Sequence, residues 1–336
     1  METVKDKPWA WVGPVLAIPY RYIRPKSGIL IGLLVMGTVL SVLSPAFLTT
    51  ENMLNVLRQV STNANLAFGM TFAIIIGGID LSVGSVLAIS GTIAAGLISN
   101  NGLPIWVAVL GGLAAGGLIG FLNGFIIART GIAPFIVTLA TMQIARGLAY
   151  VYTEGMPIRA FVDDFNFLGN GYLGPIPLPV IYTAVMFAAL LFVLYRTKFG
   201  RYVYALGGNK TASVYSGINI NRVQILVYTI IGLLSALSGV VLSARMYSGQ
   251  PTVGSGFELD AIAAVVLGGT SFSGGIGTLG GTLLGVFVIG FLNNGLNLLN
   301  INSFWQLVVK GLVILLAVYI DITKKRGKKP KKVLAG

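Results

Sequence analysis

The chain has 336 residues, 55% hydrophobic and only 10% charged, against roughly 25% charged residues in an ordinary soluble domain, which excludes a globule solvated by water. It contains no cysteine and no histidine, so disulfides and thiol chemistry are excluded and the commonest general base and metal ligand are missing. Its net charge of +13 lies between apolar runs and at the two ends, the pattern of membrane topology rather than of a nucleic-acid surface.

From the N-terminus, residues 1–27 mix Trp9, Trp11, Tyr20 and Tyr22 with Arg21, Arg24 and Lys26, and Pro8, Pro14 and Pro19 interrupt the apolar patch. This reads as an interfacial segment on the cytoplasmic side, not as a cleavable signal peptide. Ten apolar stretches follow, at 28–47, 62–78, 81–99, 103–128, 132–153, 176–195, 222–244, 257–269, 277–299 and 303–321. They are apolar on both faces, unlike the strands of an outer-membrane barrel, so helices of about 20 residues are the expected way to satisfy the backbone in lipid. The stretch 257–269 is too short to cross alone and reads as a broken or re-entrant helix. The expected fold is an all-α polytopic membrane protein with a transmembrane domain over 28–321.

Charge orients the spans. Segment 196–222 carries Arg196, Lys198, Arg201, Lys210 and Arg222 and no acid, which places it in the cytoplasm, whereas segment 154–175 has three acids against Arg159 and belongs outside. The basic tail 322–336 is cytoplasmic like the N-terminus. Two internal termini need an even number of crossings; ten fits, and eight remains open if the short elements do not cross. The pentapeptide IGFLN occurs at 119–123 and again at 289–293, each with a glycine twelve residues before its Asn (Gly111, Gly281) and an acid one span upstream (Asp80, Asp260). An offset of five helices predicts two inverted five-helix halves, a transporter architecture.

Five features attract attention. In GGIDLSVGS (77–85), Asp80 is the only acid between Glu51 and Glu154; it reads either as a gating residue or as part of a tight turn in which Asp80 and Ser82 cap the next span. Glu258 and Asp260 precede a small-residue helix whose N-terminal dipole they favour, and a flexible GGTSFSGG turn (268–275) follows. Asn293, Asn294 and Asn297, with Asn123 of the first half, are amides able to bind sugar hydroxyls or to join helices. Gln143 with Arg146, and Gln306 with Lys310, are polar pairs on single helix faces, suited to a polar path or to structural bonds. Gly208, Asn209 and Lys210 look superficially like a phosphate loop, but the required glycines are missing and no strand precedes them. A short cytoplasmic helix from about Lys210, carrying Val214 and Tyr215 and ending near Gly217, is expected instead.

These motifs, together with YALGGN (204–209), SGINI (216–220), GQPTVGSGFELDAIAAVVLGGTSFSGG (249–275) and GFLNNGLNLL (290–299), resemble the membrane-spanning permeases of bacterial ABC sugar importers of the ribose/galactose/xylose branch. The resemblance runs from about residue 45 to 321. It implies a non-catalytic transport subunit of the cytoplasmic membrane, ribose being the favoured cargo and another pentose, a hexose, a polyol or a furanose-like signal molecule the alternatives. It also implies a second permease copy, cytoplasmic ATPase subunits that contact loop 196–222, and an extracytoplasmic sugar-binding protein, with no cofactor. The rival class is an ion-coupled secondary transporter, which would usually need carboxylates deep within the spans.

Overall fold

Every predicted span falls on a helix in the computed structural model, which describes residues 27–326. The N-terminal interfacial segment, apart from Ser27, and residues 327–336 of the basic tail lie outside the described residues. The first half comprises α1 (Ser27–Leu43), α2 (Thr50–Ile75), α3 (Val83–Ser99), α4 (Ile105–Thr130) and α5 (Pro134–Thr153). After β1 (Ile158–Arg159), α6 (Asp163–Asn170) and the hairpin β2 (Tyr172–Leu173) and β3 (Ile176–Pro177), α7 (Leu178–Arg196) leads into α8 (Lys198–Gly208) and α9 (Lys210–Tyr215). The chain ends with α10 (Ile220–Arg245), β4 (Ser248–Gly249), α11 (Phe257–Leu267), α12 (Leu279–Leu298) and α13 (Ser303–Arg326). The only sheets among the described residues are two ribbons of two-residue strands, β1 against β4 and β2 against β3.

Among the described residues five helices, α4, α5, α7, α10 and α12, are long and apolar enough to cross a membrane, so the protein is a multi-pass membrane protein. At about 1.5 Å per residue, the 26 residues of α4 and of α10 reach roughly 39 Å, more than a hydrocarbon core needs. In α10, 67% of the apolar stretch is buried, against 22% in α4, α5 and α7, which makes α10 the centre and turns the apolar faces of the other three outward. The remaining predicted spans are shorter or more polar helices. The largest difference is in α2, which begins at Thr50 rather than at 62. Asn52, Asn55, Arg58 and Gln59 lower its apolar character, but several of them have protein partners: Asn52 and Asn294 exchange amide hydrogen bonds (2.8 and 3.0 Å), and Arg58 donates to Asn55 and to Tyr172. A span packed inside protein can carry such groups.

The packing is reciprocal. α10 lies against α3 and α4, and α2 lies against α11 and α12, while α2 and α10 also touch each other. The approach of α4 to α10 is backbone to backbone. Gly112, Gly116, Gly120 and Gly124 recur every four residues on one face of α4, and a Cβ on Gly120 would sit 2.9 Å from the Cα of Gly232 and collide with the Tyr228 carbonyl oxygen. Such small-residue stripes let membrane helices approach closely where the hydrophobic effect gives no drive between them.

Two breaks interrupt the helices. Residues 76–82 separate α2 from α3, and residues 246–256 separate α10 from α11. The second break packs against the first turn of α3. A Cβ on Gly254 would lie 2.6 Å from the Gly84 carbonyl oxygen, and one on Gly84 would lie 2.7 Å from Oε2 of Glu258. Arg146 of α5 holds the second break by donating to the carbonyls of Pro251 and Val253, the latter at 2.7 Å.

Candidate functional site

Helices α2, α7 and α10 run between two ends of the molecule. At one end stand α8, α9, the 76–82 break and the 268–278 turn. There the Gly275 N–H donates to the Ile75 carbonyl (2.8 Å) and the Tyr204 hydroxyl to the Gly277 carbonyl (2.7 Å). At the other end, Asn170 of α6 donates to the Ala244 and Arg245 carbonyls at the close of α10 (3.3 and 3.2 Å), and the ribbon of β1 and β4 ties segment 154–175 to the second break.

The first end carries the helix expected from the sequence. α9 covers Lys210–Tyr215, its start capped by the Asn209 side chain, which accepts from the Ala212 N–H at 2.9 Å. Gly217 closes it with φ +77°. Ser213 is buried, whereas Val214 and Tyr215 are 55% and 87% exposed. The stretch Lys198–Gly208, expected to be loop, is a helix with Val203 and Leu206 buried. It is pinned because a Cβ on Gly207 would collide with the Ile75 carbonyl and lie 2.6 Å from the Gly275 nitrogen.

A buried polar chain runs beside the first break. The Oδ1 atom of Asp80 accepts from the Ser82 N–H (2.8 Å) and from the Ser82 hydroxyl (2.6 Å); Asn123 Nδ2 donates to that hydroxyl (3.1 Å), and Thr141 donates to Asn123 Oδ1 (2.6 Å). Asp80, Ser82 and Asn123 are all but inaccessible. The expectation that Ser82 caps α3 with its side chain is corrected: it stands at the cap position with helical rather than extended backbone angles and makes no such bond, its hydroxyl donating to Asp80 and accepting from Asn123.

A second cluster stands beside α11. Asp260, buried in its first turn, accepts from Lys310 Nζ (3.0 Å) and from Asn293 Nδ2 (3.2 Å). Glu258 turns back to its own helix start and accepts from the Gly256 N–H (3.2 Å). Asn297 accepts from Gln306 (2.9 Å). This cluster borders a cavity of about 250 Å³ between α2, α10, α11, α12 and α13.

The structure therefore separates the residues that the sequence grouped. Asn293, Asn297, Asp260, Gln306 and Lys310 converge on the cavity. Asn294 faces α2 and Asn123 joins α4 to α5 and to the first break, so both act as helix connectors here. Gln143 is exposed on α5 away from the cavity, while Arg146 on the same helix points inward. Sequence reasoning missed Gln59, Asn63 and Arg245, which also line the cavity. For the first two, the signal was an i, i+4 amide pair amid the apolar face of α2.

The chain belongs to the family described as branched-chain amino acid transport system / permease component, whose model matches residues 52–318. Among characterised proteins it is similar to the ribose import permease of Bacillus subtilis (strain 168), with 50% identity over 304 residues, 90% of this chain and 94% of that protein. It is likewise similar to the ribose import permease of Escherichia coli (strain K12), with 49% identity over 300 residues, 88% of this chain and 93% of that protein. The D-allose transport system permease of the same strain is 41% identical over 298 residues, 88% of this chain and 91% of that protein. No solved structure matches the chain.

Proposed function

We propose that this chain is the non-catalytic, membrane-spanning permease subunit of a bacterial ABC importer and that its cargo is ribose. The observation carrying this reading is near-full-length similarity, at 49–50% identity, to two proteins named as ribose import permeases, against 41% to one named for allose. The subunit sits in the cytoplasmic membrane with ten crossings and both termini inside. α9 is then cytoplasmic, and Gly208, Asn209, Lys210, Val214, Tyr215 and Gly217 form the element that meets the ATPase. A second copy of the permease completes the path, and an extracytoplasmic binding protein delivers the sugar at the opposite end.

Two inverted five-helix halves explain the reciprocal packing. In each half an acid lies near the start of the third helix, and an Asn on the fourth is bonded near it. A polar residue of the fifth then joins the cluster, Thr141 eighteen residues after Asn123 and Lys310 seventeen after Asn293. Under this topology the Asp80 cluster stands toward the cytoplasm and the Asp260 cluster toward the outside. Each is suited to hold its own side closed during alternating access, so Asp80, Ser82, Glu258 and Asp260 are gating residues. The driving difference between the two states comes from ATP bound by the partner, because a conformational shift needs a ligand with different affinity for each state.

The cargo is tested by competition. In vesicles containing the complete importer, uptake of labelled ribose is expected to be suppressed by unlabelled ribose at lower concentration than by allose or arabinose. A lower effective concentration for either competitor would reassign the cargo.

A further inference from the structure

We propose that the cavity beside Asp260 is a recognition site for a neutral, polyhydroxylated solute of monosaccharide size, so that sugar is contacted within one permease chain, on the side opposite α9. The inference rests on the transport reading and adds to it the residues and the chemistry of contact.

Size comes first. At about 250 Å³ the cavity falls below the roughly 300–1,000 Å³ of pockets that hold drug-sized ligands, so it suits a smaller solute. Its wall is the second observation. Two side-chain oxygens there, Asn63 Oδ1 and Asn293 Oδ1, are buried without a hydrogen-bond partner. A buried acceptor left unsatisfied is costly, which favours an occupant that donates hydrogen bonds. Donors face the same space. Lys310 carries three N–H bonds, of which Asp260 takes one, and Asn297, whose oxygen accepts from Gln306, keeps its NH₂ group for donation. A hydroxyl both donates and accepts, so a ring of hydroxyls matches this mixed wall.

Charge in the wall is mixed: Asp260 carries Lys310, and Arg245 lines the same space. A sugar phosphate would meet Arg245 but would also have to desolvate its charge against the Asp260 carboxylate and the two unpartnered amide oxygens, whereas a neutral sugar carries no such cost. Phe257 and Leu242 supply apolar surface for the C–H face of a sugar ring.

The chain is naturally free of cysteine, so Asn63→Cys and Asn297→Cys variants each carry one thiol without background. The complete importer is placed in vesicles and treated with a membrane-impermeant thiol reagent from the side of the binding protein, with and without ribose. At ribose ten times its dissociation constant, labelling of both variants is expected to slow about tenfold, as the free site becomes scarce. Ribose 5-phosphate at the same concentration should not protect. An Asp163→Cys variant, exposed on α6 outside the cavity, should label equally under all conditions. Ribose uptake is measured on the same vesicles with unsubstituted protein. Uptake with no protection of either variant, or stronger protection by the phosphate, overturns the cavity assignment while leaving the transport reading intact. No ribose uptake overturns the reading itself and the cavity assignment with it. Asn297 is exposed on the surface of α12, so its variant reports even if Asn63→Cys disturbs the packing of α2.

Discussion

Gly120→Leu is expected to prevent a stable permease from accumulating, whereas Gly147→Leu on α5 is expected to leave the fold unchanged. At Gly120 any side chain meets the backbone of α10, at the Tyr228 carbonyl and at the Gly232 nitrogen and Cα. Backbone cannot rotate aside as a side chain can. The cost of overpacking should therefore reach or exceed the upper end of the roughly 1–3 kcal/mol seen for inserted methylenes. The crossing joins α10, the most buried of the long apolar helices, to its neighbour α4, so loss here is loss of the core. Gly147 has open space around it, and replacing a helical glycine removes an entropic penalty of about 0.5–1 kcal/mol. Yield of monodisperse protein in detergent and its thermal unfolding midpoint check the pair. Equal behaviour of the two variants would show that the stripe on α4 does not set the crossing.

The paired substitution Val214→Gly and Tyr215→Ser is expected to abolish uptake while leaving membrane insertion and the unfolding midpoint near those of the unaltered protein. Both side chains are exposed, Tyr215 at 87%, so their removal deprives this chain of little buried surface. Tyrosine is enriched among the few anchor residues of protein interfaces, and truncating such an anchor costs about 2 kcal/mol or more. Since 1.4 kcal/mol is a factor of ten, coupling to the ATPase should weaken by about 30-fold or more. α9 itself, with six residues, is too short to be stable on its own; it holds its place through the Asn209 cap and the buried Ser213, which the variant retains. ATP hydrolysis should persist in the partner without sugar accumulation. Normal uptake by the doubly substituted protein would remove α9 from the coupling role.

The helices were legible in the sequence because apolar length is a strong signal in a chain this poor in charge. The misplaced start of α2 shows the limit of that signal. Hydropathy treats Asn52 and Arg58 as facing lipid, whereas packing gives them Asn294 and Tyr172 as partners. α8 was hidden for a related reason. Gly200, Gly207 and Gly208 lower helix propensity, but the first two are where backbone passes so close that a Cβ would collide with the Leu194 and Ile75 carbonyls. The repeat gave Asn123 and Asn293 equivalent positions, and both are bonded near the acid of their own half. The run Asn293-Asn294 could not be divided by spacing alone. Adjacent helical positions are about 100° apart, and only the placement of α2 and α11 decides which amide joins helices and which borders the cavity. Gln59, Asn63 and Arg245 belong to helices distant in sequence from Lys310, so nothing short of the packing brings them together.

If an ATPase bound at the α9 end drives this helical body, sugar moves only when that ATPase is present. The direct measurement is ribose accumulation in vesicles containing the permease, with its binding protein on the opposite side, in the presence or absence of the ATPase and of ATP. Accumulation against a gradient is expected only when ATPase and ATP are both present, and it should survive collapse of the ion gradients. Accumulation by the permease alone, lost when the ion gradient is dissipated, would make the protein a secondary transporter instead.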